Sequence, residues 1–206
     1  MAFLSWLSSP MILNAVCSRP VNSGVRRQKH ISEGIFMIPE RVVILKGVIS
    51  ILINAAIQGY EATYKEERLG ILLGRFQNNA VIVKHAIVYR GGERKRTSAI
   101  VDSVQFTKRV RELSQRHKAD FLGTFHTHNE VAGTITSALS IEDRDHLCDD
   151  PPGVVELIIA ILRSDSPSRQ SQRYIQGDVN GYRFRIAGYQ MCSPFCLIPV
   201  STNDAR

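Results

Sequence analysis

The sequence predicts an α/β chain: a mixed β-sheet packed between helices. Three observations predict it. Apolar runs of strand character ("LGILLGRF", "AVIVKHAIVY", "DFLGTFHTH", "GVVELIIAIL", "GYRFRIAGYQ") are interspersed with segments of helical period. Some runs are joined by a short polar hairpin connection and others by helix-length crossovers, so antiparallel and parallel pairs should coexist. The 206 residues, 44% hydrophobic and 22% charged, suit one well-buried core, with no internal repeat.

The chain divides into a leader or flexible extension at 1–33, one domain at 34–190 and a C-terminal tail at 191–206. "MAFLSWLSSPMILNAVC" has no Lys or Arg before its apolar part and is interrupted by Pro10. It therefore fits neither a secretory signal nor a bilayer span, which needs roughly 20 uninterrupted apolar residues. "SRPVNSGVRRQKHISEG" has the composition of a linker.

The domain opens with "GIFMIP", a short strand ended by Pro39. "ERVVILKGVISILINAAIQGYEATYKEE" follows as a helix, because Lys46, Ser50, Asn54 and Gln58 recur every four residues along one narrow stripe. Its apolar run is too short for a membrane span and contains Lys46. Glu67 is expected at the end of this helix, just ahead of Gly70. "LGILLGRF" and "AVIVKHAIVY" form a hairpin across "QNN", and "SAIVDS" gives a further short strand. Ser103 stands as N-cap of a helix whose Phe106, Val110 and Leu113 share a face. "DFLGTFHTH" is the next strand, a helix starts at Ser140, and two more strands complete the sheet.

The net charge of +7 raises the possibility of a nucleic-acid partner. The clustered basic segments, "RRQKH" at 26–30 and "ERKRT" at 93–97, lack the interleaved aromatics of a stacking platform, and solvated basic loops are the simpler reading. Cys17, Cys148, Cys192 and Cys196 form neither a zinc ribbon nor a regular disulfide framework, which points to a reducing, cytoplasmic compartment. A bridge within "CSPFC" is the one local pairing that the spacing permits.

"GTFHTHNEVAGTITSALSIED", residues 123–143, carries the chemistry. Residues i and i+2 of a strand face the same side, so His126 and His128 project together and Thr127 away. Two imidazoles so placed can converge on one zinc at roughly 2.0 to 2.1 Å per nitrogen. A helix starting at Ser140 puts Asp143 in its first turn as a third, oxygen ligand, and three protein ligands with an open position mark catalytic zinc. Each piece also has a plainer reading. Ser140 and Asp143 could be a helix cap, the histidines a half-exposed polar patch, and Glu67 a solvated member of "KEER".

Together, Glu67 before "LGILLG", "HTH" and "SIED" resemble the JAB/MPN/Mov34, or JAMM, metalloprotease family over roughly residues 34–190. The resemblance implies a JAB/MPN-type, cytidine deaminase-like single domain. It implies His126, His128 and Asp143 as Zn2+ ligands, Glu67 as general base and Ser140 as an oxyanion contact. The chain departs from the family between HxH and SxxD: eleven residues intervene, where the family usually has about seven, and Asn129 stands where proline is common. Glu142 and Asp145 are the neighbouring carboxylates that could replace Asp143. Glu142 points about 100° away on the helix, and Asp145 lacks a serine three residues earlier. The long loop, with Gly133 as a pivot, would border the site.

The implied activity is a zinc metallopeptidase or isopeptidase releasing ubiquitin-like or small sulfur-carrier proteins from conjugates. The alternatives are a catalytically silent MPN scaffold, which normally lacks one or more of the five residues, and a nucleic-acid-associated JAB protein.

Overall fold

A computed structural model describes residues 38–91, 93–94, 99–100, 103–129, 136–164, 173–190 and 196–203. The leader, residues 34–37 of the expected "GIFMIP" strand, the cysteine pair at 192 and 196 as side chains, most of the basic loop at 93–97 and residues 130–135 with Gly133 lie outside what is described.

Strand β1 (Arg41–Leu45) leads directly into helix α1 (Lys46–Glu61). Here the structure corrects the expectation of a helix from residue 40. "RVVIL" is strand, β-branched and paired in parallel with two neighbours. In α1 itself the polar stripe lies where the period placed it, with Lys46, Ser50, Asn54 and Gln58 all exposed. Val48, Leu52, Ile53, Ala55 and Ala56 are buried on the opposite side. The helix ends at Glu61, six residues before Glu67, so Glu67 belongs to an extended lead-in to the next strand and not to the helix.

β2 (Leu69–Gln77) and β3 (Ala80–Val88) form the expected antiparallel hairpin. Asn78 and Asn79 turn it with φ of 49° and 57°, the left-handed pair that matches the twist of two-residue hairpins. β4 (Glu93–Arg94) and β5 (Ala99–Ile100) make a small separate ribbon. α2 (Ser103–His117) buries Phe106, Val110 and Leu113, as their spacing predicts. Then come β6 (Asp120–Asn129), α3 (Ile141–Asp149), β7 (Val155–Arg163), β8 (Ile175–Val179) and β9 (Tyr182–Gln190). The segment expected as a tail adds β10 (Cys196–Ile198) and β11 (Val200–Asn203) to the sheet.

The nine-stranded mixed sheet has the order β10-β9-β7-β6-β2-β3-β1-β11, with β8 also on β9. Because β10 and β11 adjoin in sequence yet border opposite ends of that order, Pro199 carries the chain from one end to the other and the sheet curls towards closure. The Pro199 carbonyl accepts from Val42 N–H at 2.9 Å. Gly188 permits the approach, since a Cβ there would stand 2.9 Å from Val200.

α1 covers one face over a core that includes Leu52, Leu72, Phe125, Leu157 and Ile159. On the other face α2 packs on Leu69, Ile71 and Leu73, and Leu147 of α3 packs on Ile158. Among the described residues, no helix is long and apolar enough to cross a membrane.

Candidate metal centre

The centre forms where β6 passes under the start of α3. β6 lies between β2 and β7, its backbone bonded on both sides. Gly123 enters it at φ +146°, where a Cβ would meet the Val155 carbonyl, so β6 and β7 can lie close. Strand alternation then separates the side chains. Phe125 goes to the α1 core, while His126 and His128 face α3.

His126 Nε2 lies 2.9 Å from His128 Nε2. The Asp143 carboxylate completes the group, with Oδ1 at 3.4 Å from His126 Nε2 and Oδ2 at 3.5 Å from His128 Nε2. Ligands at zinc distance in a tetrahedron stand roughly 3.3 to 3.4 Å from one another; the two carboxylate spacings match this, and the two imidazole nitrogens, at 2.9 Å, stand closer together. Among the described residues, His126, His128 and Asp143 are the one group of three or more His, Cys, Asp or Glu placed to hold a metal ion. Glu142 and Asp145, the alternative carboxylates, are exposed and outside it.

The donors are also in the right chemical form. His126 Nδ1 is 2.8 Å from Glu156 Oε1, and His128 Nδ1 is 3.2 Å from the Thr136 carbonyl. Both partners are acceptors, so each Nδ1 carries a proton and donates. In the neutral rings the lone pairs then sit on the two Nε2 atoms, which face each other and a carboxylate. Such an arrangement is repulsive unless positive charge is supplied. Burial alone would lower the His126 pKa, yet the charge of Glu156 and the Asp143 carboxylate raise it well above the ordinary histidine value. Asp143 responds in the opposite direction. Burial pulls it upward, but the adjacent His126 and His128 rings, which protonate in preference to it, and the Ser140 N–H hold it far below the usual carboxylate range.

Ser140 has the capping role and also lies at the site. Its Oγ accepts from Asp143 N–H at 3.1 Å, and its own N–H donates to Asp143 Oδ2 at 2.7 Å, a reciprocal capping box. The cap fixes the first turn of α3, and with it the Asp143 carboxylate, against the histidines.

Glu67 reaches the same place through sheet register. Leu69 pairs with His126, and the Thr127 N–H donates to the Arg68 carbonyl at 2.9 Å, so two residues before Leu69 the chain runs opposite His128 on the same face. Glu67 is 9% exposed, a buried carboxylate rather than a solvated one. Burial, opposed by His126 and reinforced by Asp143 and Glu142, pushes its pKa up to about 7.

Glu156 is the site residue that sequence reasoning missed. It sits in "GVVELIIAIL" as a lone acid within an apolar strand, 9% exposed, and that incongruity was the available signal.

No family model matches the chain, and no curated protein matches it either. Among solved structures, the chain is similar to the solution structure of a protein from Desulfitobacterium hafniense. The TM-score is 0.56 at 16% identity, over 80% of this chain and 94% of that one, a likeness of fold.

Proposed function

We propose that this chain is a zinc metallopeptidase of the JAMM type with a JAB/MPN fold, cleaving peptide or isopeptide bonds at the carboxyl end of a ubiquitin-like or sulfur-carrier protein. The observation that carries the reading is the pair of Nε2 atoms facing each other beside the Asp143 carboxylate, with Glu67 buried alongside. His126, His128 and Asp143 would hold the ion, which supplies Lewis acidity and water activation when bound. Glu67 is the base: a carboxylate poised near neutrality can take a proton from the attacking water and pass it to the leaving amine nitrogen. The Ser140 hydroxyl accepts from Asp143 N–H and keeps its own proton to donate to the developing oxyanion. A silent scaffold would leave this set of groups without a purpose.

The substrate class is supported by a cleft of about 870 Å3 between α2 and the end of β3, with Ile87 and Leu113 among its apolar walls and Arg90 and Lys108 at its border. Among the described residues, β3 pairs with β1 only as far as Val83, so its continuation offers an edge to an extended tail. Tyr89 N–H donates to the carbonyl of Leu69, the residue paired with His126, so one strand, β2, separates the end of β3 from the histidines.

The test is cleavage of a ubiquitin-like protein fused through its terminal glycine to a reporter. The zinc-loaded protein should release the reporter, a chelator should stop it and added zinc should restore it. Zinc-loaded protein that leaves a panel of such fusions and lysine-linked conjugates intact contradicts the reading.

A further inference from the structure

The geometry points to Asn129, together with Thr127, as the positioning residue that sets where Glu67 stands relative to the histidines; this rests on the reading of Glu67 as the base. Strand β6 uses its two sets of side chains differently. His126 and His128 face the metal centre, while Thr127 and Asn129, one residue out of phase, grip the backbone that carries Glu67. The Thr127 hydroxyl accepts from Arg68 N–H at 2.8 Å, and Thr127 N–H donates to the Arg68 carbonyl at 2.9 Å. Asn129 Nδ2 donates to the Lys65 carbonyl at 2.7 Å. Glu67 is thus held between two fixed points, one on each side, by the strand that also presents the histidines.

The segment needs such holding. It leaves α1 at Glu61 and reaches the first sheet pair at Leu69, with no regular structure from 65 to 68. Lys65 adopts φ +50°, a conformation that a residue with a Cβ avoids unless its surroundings impose it. Asn129 bonds the carbonyl of that same residue. It is 8% exposed, so water competes poorly for the bond. Since a carbonyl can only accept, the Asn129 atom facing Lys65 must be a donor. Aspartate, equal in shape, cannot replace it.

The experiment compares zinc-loaded, full-length N129D, N129A and T127V with wild type, alone and in an E67Q background. It uses the reporter fusion, zinc titration and backbone hydrogen exchange over residues 62–69. The expected result is faster exchange across 62–69, zinc affinity changed by less than about tenfold, and kcat lowered about tenfold or more with KM little changed. In E67Q the second substitution should lower kcat no further, because its effect passes through the base. Wild-type exchange and wild-type kcat in N129D overturn the inference. So does a loss of zinc as large as that of H126A, which would place the action on the histidines, or a full additional loss of kcat in E67Q. If wild type binds zinc and cleaves nothing, the peptidase reading fails and exchange alone decides whether Asn129 and Thr127 hold the segment.

Discussion

His126 Nδ1 and Glu156 Oε1 are 2.8 Å apart, joined across the parallel pair β6 and β7 by a buried hydrogen bond. The bond sets the His126 tautomer, so that Nε2 carries the lone pair toward His128 and Asp143. Outer carboxylates of this kind typically contribute about 10- to 100-fold in metal affinity. Glu156→Gln keeps the shape but loses the charge. Zinc affinity measured against a competing chelator should fall within about that range, with stoichiometry at saturation unchanged. Unaltered affinity would show that the bond does not serve the metal.

Glu67→Gln separates chemistry from binding. Glu67 is not in the group of metal donors, so zinc should bind as in wild type. Loss of the base should lower kcat by about 10² to 10⁴. Loss of zinc would make Glu67 a ligand, and full activity would leave the proton transfer without a carrier.

Asp150 provides a pH dependence away from the metal donors. It caps the C-terminus of α3, and burial, with the charges of Glu156 and Asp149, pushes its pKa up to about 7. The folded protein therefore holds this proton more tightly than the unfolded chain does. The associated stability is complete below the unfolded value near 3.8 and is lost as pH rises through about 7. Asp150→Asn removes the charge that burial and the helix C-terminus disfavour. The variant should gain about 1 to 2 kcal/mol over wild type at pH 8 after allowance for solvent screening. At pH 4 the gain should nearly vanish. Equal denaturation midpoints for the two proteins at pH 8 would refute this assignment.

Much of the site was legible because it is local. The HxH parity of a strand, the SxxD cap at a helix start and the Asn-Asn hairpin turn are all written within a few residues. β1 was not legible because nothing marks its boundary with α1. Leu45 at the N-cap makes no side-chain cap bond, and "RVVIL" runs into the helix with neither Pro nor a capping side chain at the junction. The same continuity at the other end assigned Glu67 to the helix, although Ala62 already has extended backbone. Glu156 depends on the register of a parallel pair, in which Thr124 stands opposite Glu156, and no short-range pattern encodes that. β10 and β11 are strands of three and four residues around Pro199, stabilised by distant partners rather than by their own propensity.

The central claim, that His126, His128 and Asp143 form a zinc site, is tested most directly by zinc content. Elemental analysis of the purified full-length protein and of the double variant His126→Ala, His128→Ala should give about one zinc per chain in the first and none in the second. Wild-type protein that takes up no zinc, or a double variant that retains the full complement, would contradict the account.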